Sequence, residues 1–282
     1  MTAGGPLTLD LVVATVDRVD ELGRLLSSLE RQTHRTFRVL LVDQNPDQRV
    51  EGVLREHGSL GVARLRAARG LSHARNAALD HVHGDLVAFP DDDCEYPDDL
   101  LERVAARFAS KPDLDGLTGR AADSSGHSSP SWRRDPAVLT RNNLWNRAVS
   151  FTIFLRTAVA ARVGGFDEQL GLGSGALWSS GEEIDYLVRA LDSGARIEYD
   201  PTIVVRHENK SCSLTALRAV GARDGASVGY ILRKHRYSRQ LLARMLVRPA
   251  GGAVLALARR DLAQAQFHLS TLRGRLLGYR AA

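Results

Sequence analysis

The first hundred residues alternate between short apolar runs and amphipathic segments, and this alternation limits the folds that the chain can adopt. Runs rich in Val and Leu occur at 7–15, 37–43 and 85–90. Between the first two, residues 19–30 place four leucines on one face of a helix: Leu22, Leu25, Leu26 and Leu29. Such a pattern predicts βαβ units around a mostly parallel sheet flanked by helices.

The rest of the chain is less regular. Residues 148–159 are apolar and predict a return to the core, whereas 122–136 are polar and predict a loop. Residues 196–208 indicate paired short strands that end at His207.

Polar side chains follow the ends of the predicted strands. In sheets of this class, ligands bind in the crevice outside the carboxyl ends of the strands. The residues concerned are Thr15, Asp17, Asp43, Asp91, Asp92 and Asp93. Their convergence predicts a binding site at that edge of the sheet.

The three consecutive carboxylates of residues 91–93 are costly to bury without a cation. An unpaired buried carboxylate costs several kcal/mol, and two that share a site force one pKa upward. Hard cations such as Mg²⁺ prefer oxygen ligands and complete their shell with water and substrate phosphates. The triplet therefore predicts half of a site whose other half is a nucleotide diphosphate. The alternative is a solvated turn, with Asp98 and Asp99 complementing the start of the next helix.

Composition and charge indicate an ordinary folded chain with a distinct tail. Apolar residues make up 44% and charged residues 25%, which is typical of globular proteins. Residues 214–282 contain thirteen Lys or Arg and two Asp, so their net charge is +11 and the remainder of the +5 chain carries −6. An acidic body with a basic tail predicts two different roles.

The expected setting is the cytoplasm. The first residues lack a basic segment and Asp10 interrupts their apolar run, so no signal peptide is expected. No uninterrupted apolar run approaches the roughly 18 residues that span a bilayer. Cys94 and Cys212 form no disulfide framework and no metal-type spacing, which favours a reducing compartment.

The basic tail predicts two or three helices. A basic amphipathic surface can hold a protein at an anionic membrane, here the inner face of the cell membrane, where a lipid-linked or phosphate-bearing acceptor would be available. The alternative is that the helices pack on the catalytic domain with their arginines outward. The tail contains no nucleic-acid-binding motif, so no nucleic acid partner is expected.

Five segments occur in an order that resembles the family-2 glycosyltransferases, which have the GT-A fold. They are "LVVATVDRVDELGRLL", "GLSHARNAAL", "GDLVAFPDDDCEYPDDLL", "GGFDEQL" and "GEEIDYLVRAL", within residues 7–210. The resemblance implies a GT-A catalytic domain at 1–213, with a mostly parallel mixed sheet. Its nucleotide-sugar half would span about 1–115 and its acceptor half about 116–213, followed by a basic helical extension at 214–282.

The resemblance also implies which residues bind the nucleotide of an activated sugar. They are Thr15, Asp17, Asp43, Gln44, Arg75, Asp91 and Asp92. Gln44 replaces the second Asp of a frequent Asp-Asp pair that contacts uracil, and an amide both donates and accepts. UDP is the commonest nucleotide of the family, and this departure keeps dTDP and GDP as alternatives.

A divalent cation, Mn²⁺ or Mg²⁺, is the implied cofactor. The triplet matches the DxD-type motif, so Asp93 would ligate the metal most directly, with Asp91 beside it. His207 matches a position where some members place a histidine near the metal, and its alternative is a structural role.

The implied catalytic base lies in "GEEIDYL". Motif position favours Glu183, but Glu replaces the usual Asp there, so Glu182 and Asp185 stay open as alternatives. The same acidic residues also suit the first turn of a helix. Trp178 would stack on a sugar, or else belong to the core.

The implied reaction is an inverting single displacement. A sugar would move from a nucleotide-diphosphate sugar to an acceptor hydroxyl, in polysaccharide, glycolipid or natural-product glycosylation. One rival is a sugar-1-phosphate nucleotidyltransferase, but "ATVDRVDE" lacks the glycine-rich loop expected there. The other is a non-catalytic sugar-nucleotide-binding relic, which would have little reason to keep both "DDD" and "GEEID".

Overall fold

A nine-stranded mixed sheet forms the first part of the structure, a computed structural model that describes residues 5–129, 131–208 and 213–281. Its strands are β1 (Leu9–Thr15), β2 (Phe37–Asp43), β3 (Ala63–Arg66), β4 (Leu86–Ala88), β5 (Cys94–Glu95), β6 (Gly116–Ala122), β7 (Ala137–Val138), β8 (Ile153–Arg156) and β9 (Ile197–His207). The spatial order is β3-β2-β1-β4-β8-β6-β9-β5, with β7 beside β9.

One half of this sheet is parallel, as the sequence predicts. Strands β3, β2, β1 and β4 are joined by parallel pairs. Strand β8 is antiparallel to both of its neighbours, β4 and β6. It comes from the apolar segment 148–159, which the sequence predicts to return to the core. The sheet is therefore mixed rather than uniformly parallel, with helices on both faces.

Six helices accompany the sheet. They are α1 (Val19–Glu30), α2 (Glu51–Glu56), α3 (Leu71–Leu79), α4 (Leu100–Ser110), α5 (Thr157–Val163) and α6 (Glu182–Asp192). The four leucines predicted for the inner face of α1 are fully buried, and they share a core with Leu9, Leu11 and Val13 of β1. Burying each of these side chains stabilises the fold by about 1.5–3 kcal/mol.

Strand β9 corrects the expectation of paired short strands. It is one strand of 11 residues, and its parallel register with β6 shifts between Thr118 and Arg120. A side chain at Gly119, within the shift, would clash with the main chain of Ile203. Pro201 has no backbone N–H to donate to the hydrogen bonds between strands, and sheets tolerate proline at irregularities of this kind. The chain therefore passes through a bulge where the sequence suggested a turn.

The chain divides into two compact units. The first contains 1–69, 73–166 and 186–209, and the second contains 70–72, 167–185 and 210–282. The second unit ends in three helices, α7 (Leu214–Lys234), α8 (Arg239–Ala258) and α9 (Leu262–Ala281). The expected basic helical extension is thus present.

Helices α7 and α9 pack backbone to backbone. Glycines recur at every fourth position on the facing sides: Gly221, Gly225 and Gly229 on α7, and Gly274 and Gly278 on α9. A Cβ at any of these positions would meet main-chain atoms of the opposite helix at distances that real Cβ atoms do not show. Glycine is required here because only it permits this close approach.

Helix α8 is the one helix in the described part of the chain that is long and apolar enough to cross a membrane by length and composition. Its mean hydropathy reaches 1.5, and 17% of that window is buried. The sequence shows no uninterrupted apolar run here because Arg244 and Arg248 interrupt it.

Candidate functional site

The sheet brings the predicted polar residues of the first unit to one edge. Thr15 and Asp43, the last residues of β1 and β2, are partners in the parallel register. Asp91 forms an isolated parallel bridge with Ala14, so the acidic triplet begins beside the end of β1. Parallel neighbours end at the same edge, which is why residues far apart in the sequence meet here.

Asp92 is the most buried residue of the triplet. It is 5% exposed, and its carboxylate accepts hydrogen bonds from Thr15 Oγ1 at 2.8 Å and from an Nη of Arg18 at 2.8 Å. Burial raises the pKa of Asp92 to about 6, although the bonds from Thr15 and Arg18 act in the opposite direction. Its ionised form is therefore costly in the folded chain.

Arg18 is a functional candidate that sequence reasoning missed. The same Nη atom lies 2.8 Å from Asp92 and 2.8 Å from Asp93, so one guanidinium spans two carboxylates. Arg18 immediately precedes α1, where a positive charge opposes the helix dipole. This unfavourable position of a positive charge is the sequence feature that could have indicated another role for Arg18.

His207 reaches the triplet through strand pairing. Cys94 and His207 are partners in the antiparallel pair of β5 and β9. The imidazole Nε2 lies 3.3 Å from Asp93 Oδ1, and the ring stacks on Phe151 at 4.9 Å with planes 8° apart. The ring is thus held with one nitrogen toward the carboxylate.

The pair of Asp93 and His207 fits a divalent cation. Bonds of about 2.1 Å in octahedral geometry place adjacent ligand atoms about 3.0 Å apart, close to the separation found here. Among residues 5–129, 131–208 and 213–281, no three His, Cys, Asp or Glu side chains gather into a set that could hold a metal ion by themselves. A cation would therefore need water and substrate oxygens as well, as Mg²⁺ sites commonly do.

Asp91, also predicted as a metal ligand, contacts other groups. Its Oδ1 accepts from Arg75 at 3.0 Å and from Ser150 Oγ at 3.1 Å. Arg75 is 1% exposed, and its guanidinium lies over the rings of Phe89 and Phe166 at 5.9 and 5.4 Å. The sequence predicts that Arg75 binds the nucleotide, and the structure places its guanidinium against Asp91 of the triplet. Ser150 was missed because an isolated serine carries no sequence signal.

Asp43 and Gln44 lie at the end of β2. The Asp43 carboxylate accepts from Arg64 at 2.6 Å and from the backbone N–H of Asn45 at 2.9 Å. Burial alone would raise the pKa of Asp43, but these bonds outweigh it and the net pKa is lowered. Gln44 is buried, and its N–H donates to the Thr15 carbonyl at 3.0 Å.

Asp17 lies in a left-handed turn with φ of 60°. Its carboxylate accepts from Arg49 at 2.7 Å and from Arg69 at 2.6 Å, and its N–H donates to Asn45 at 2.7 Å. The polar turn after β1 is thus cross-linked to two arginines, which can bind phosphate or base edges through their forked donors.

The acidic segment of the second unit forms the first turn of α6. Glu182 and Asp185 are buried, at 4% and 0% exposure, and Glu183 is half-buried. Asp185 Oδ1 forms an ion pair with Lys234 Nζ at 2.7 Å and lies 2.8 Å from His235 Nε2. Its carboxylate is therefore engaged by two cationic or donating groups from the end of α7.

Trp178 is half-buried and already has an aromatic partner. Its ring stacks on Tyr230 at 4.7 Å with planes 13° apart. The Tyr230 hydroxyl donates to Asp167 at 3.3 Å, and burial raises the pKa of Tyr230 to about 12. One face of the indole is thus occupied within the second unit.

Comparison with known proteins identifies the family of this chain. Residues 10–163 match the family model of glycosyl transferase family 2. The chain is 28% identical to the pre-mycofactocin glycosyltransferase of Mycobacterium tuberculosis over 73% of its own length, and it spans 44% of that protein. It is also 28% identical to the succinoglycan biosynthesis protein ExoM of Rhizobium meliloti, covering 80% of this chain and 75% of that one.

Solved structures support the same fold. S. aureus TarS 1–349 in complex with UDP-GlcNAc aligns with a TM-score of 0.62 and 18% identity, over 95% of this chain and 90% of that one. The mannosyltransferase PcManGT of Pyrobaculum calidifontis, in complex with GDP-Man and Mn²⁺, aligns with a TM-score of 0.63 and 16% identity, over 96% and 87%. The family match covers more than half of the chain, and the chain therefore belongs to glycosyl transferase family 2.

Proposed function

We propose that this glycosyltransferase moves a sugar from a nucleotide-diphosphate sugar to an acceptor hydroxyl with inversion at the anomeric carbon, and that it depends on a divalent cation. The observation that carries the proposal is the acidic triplet at the strand ends, with His207 against Asp93. UDP is the proposed nucleotide, and GDP and dTDP are the alternatives. TarS, in complex with UDP-GlcNAc, and PcManGT, in complex with GDP-Man, support a nucleotide-sugar donor.

Asp93 and His207, together with Asp91, would hold the cation, Mn²⁺ or Mg²⁺, which when bound supplies positive charge beside the leaving diphosphate. The residues proposed to bind the nucleotide are Thr15, Asp17, Asp43, Gln44 and Arg75. Arg75 neutralises Asp91 through their contact of 3.0 Å, and this pairing supports a role for Asp91 and Asp92 in holding the ribose and metal-bound water.

Glu183 is the proposed catalytic base. It is the most exposed of the three acidic residues in the first turn of α6, and a general base must reach the acceptor hydroxyl. Asp185 is fully buried against Lys234 and His235, which favours an anchoring role for that carboxylate. Glu182 is the alternative base, and Trp178 is kept as a sugar contact through the face that Tyr230 does not cover.

We also propose a function for each part of the chain. Residues 1–213 would form the catalytic domain, with a nucleotide-sugar half at about 1–115 and an acceptor half at about 116–213. Residues 214–282 would form a basic extension that contacts the inner face of the cell membrane, where a lipid-linked acceptor would be available. The net charge of +11 on those residues supports this assignment.

Titration calorimetry with UDP, GDP and dTDP, with and without Mn²⁺, tests the proposal. We expect binding that requires Mn²⁺ and that is lost in Asp93→Ala. The matched control is Asp98→Ala, because Asp98 is an exposed acid paired with Arg31 at 3.2 Å and lies outside the triplet. Absence of Mn²⁺-dependent binding to all three nucleotides would refute the cation-dependent donor site.

A further inference from the structure

The second unit contains a groove whose lining residues have no role in the proposed reaction. It lies between α7 and α9 and encloses about 500 Å³, within the range of small-ligand sites. The lining residues recur at positions i, i+3, i+4 and i+7 on both helices: Thr215, Arg218, Ala219 and Ala222 on α7, and Ser270, Arg273, Gly274 and Leu277 on α9. This spacing means that one continuous face of each helix borders the groove. Leu177 completes the wall.

The floor of the groove is made of small residues. Gly274 lies against the α7 main chain, and a Cβ there would clash with Ala222 and Ala226. Ala219, Ala222 and Gly274 contribute small residues to the lining, beside the exposed side chains of Arg218 and Arg273. The result is a trough with apolar walls and two arginines.

The two arginines have no anionic partner. Neither Arg218 nor Arg273 makes a salt bridge or a side-chain hydrogen bond in the described part of the chain, and the lining contains no acidic residue. The nearest acid in the sequence, Asp224, pairs with Arg223 at 2.8 Å. Both arginines are exposed and border the same groove, so an anion bound there would meet two positive charges.

The chemistry of the lining selects the anion. A phosphate monoester carries about −1.5 to −2 charges at neutral pH and offers three acceptor oxygens, which matches two guanidinium groups and the hydroxyls of Thr215 and Ser270. Leu177 and Leu277, 52% and 40% exposed, line the same groove and can cover a hydrocarbon chain. A free phosphate ion has no apolar part that could contact these leucines.

The same unit presents apolar side chains to its surroundings. Val247, Val254 and Leu255 of α8 are 67%, 69% and 51% exposed, and the apolar window of that helix is mostly unburied. Exposed apolar residues interspersed with arginines are typical of helices that lie in the interface of an anionic bilayer. This favours a lipid over a soluble phosphate ester as the occupant.

We propose that the α7–α9 groove binds the headgroup of a phosphate-monoester lipid presented by a membrane, with Arg218 and Arg273 pairing with the phosphate. The inference deepens the proposed membrane contact of the extension and is independent of the donor nucleotide. The bound lipid would hold the enzyme at a surface rich in phosphate-headed lipids.

Vesicle sedimentation tests this site. Phosphatidylcholine vesicles carry either phosphatidic acid, a phosphate monoester, or phosphatidylglycerol, a phosphodiester, adjusted to equal surface charge. We expect the wild-type chain to prefer the monoester vesicles by about tenfold, since close contacts of two arginines add to the diffuse attraction. Ala219→Trp fills the groove without changing the charge, and we expect it to lose this preference. The double variant R218Q/R273Q should lose it too.

The control is R244Q/R280Q, which removes two exposed arginines from the same unit outside the groove. It should bind both kinds of vesicle more weakly while it keeps the preference. If Ala219→Trp retains the preference, or if both double variants behave alike, the groove is not the site. If inorganic phosphate displaces the chain from the monoester vesicles as well as dihexanoyl phosphatidic acid does, the lipid assignment is wrong. Nucleotide titration of each variant separates these outcomes from failure of the donor site, and circular dichroism confirms that each variant is folded.

Discussion

Asp92→Asn is expected to stabilise the folded chain near neutral pH by more than it does near pH 4. Asp92 is 5% exposed, and burial raises its pKa from 3.8 to about 6. Between those two values the folded chain retains a proton that the unfolded chain has lost. Stability therefore falls as the pH rises from about 4 to about 6, the reverse of the usual behaviour of an aspartate.

The magnitude follows from the size of the shift. A difference of about two pH units between the folded and unfolded pKa corresponds to about 3 kcal/mol, at 1.36 kcal/mol per unit. The bonds from Thr15 and Arg18 are already included in the net pKa. An asparagine cannot ionise, so the variant lacks this term at every pH. The stability of Asp92→Asn relative to wild type should thus increase by about 3 kcal/mol between pH 4 and pH 7.

Urea unfolding at pH 4, 5, 6 and 7 measures this difference, and Asp10→Asn is the matched control. Asp10 is also buried in the first unit, but bonds from Arg38 and from the N–H groups of Gly84 and His83 outweigh its burial and lower its pKa. Its variant should therefore lose stability relative to wild type as the pH rises toward the ordinary pKa of 3.8, and the difference should stay constant above it. A difference between wild type and Asp92→Asn that is the same at all four pH values would refute the reasoning.

Glu183→Gln should lower turnover by about 10²–10⁴-fold with unchanged stability, since it removes only the proposed base. Asp185→Asn should instead destabilise the chain by about 3 kcal/mol because it breaks a buried ion pair. If Asp185→Asn lowers turnover as much as Glu183→Gln does and leaves stability unchanged, Asp185 is the base. Gly278→Ala should cost about 1–3 kcal/mol through a clash with the main chain of Ala226, as thermal unfolding can measure. Gly251→Ala, at an open position of α8, should raise stability by about 0.5–1 kcal/mol. If Gly278→Ala and Gly251→Ala change stability by similar amounts, the close packing of α7 and α9 is contradicted.

Local sequence patterns predicted much of the fold. The bounds of α1 and β2 agree with the sequence expectation, because the spacing of leucines along a helix and the run of apolar residues in a buried strand are properties of the segments themselves. The polar residues at the strand ends could be identified for the same reason, since parallel neighbours end at one edge of the sheet.

The partners of those residues could not be predicted from local pattern. Arg18 bridges Asp92 and Asp93, and Ser150 donates to Asp91, over separations of 59 to 75 residues. Neither residue carries a sequence signal that specifies its partner. The bulge of β9 was missed because it depends on the register with β6.

The sequence by itself determined the alternating architecture, the acidic strand end and the basic tail, because each is encoded in the periodicity or charge of a contiguous segment. Tertiary structure decided which groups neutralise the acidic triplet. His207 meets Asp93 because β9 pairs with β5 in one register, and a shift by one residue would turn the imidazole to the other face of the sheet. Contacts that depend on the register of distant strands arise only when the whole sheet has formed.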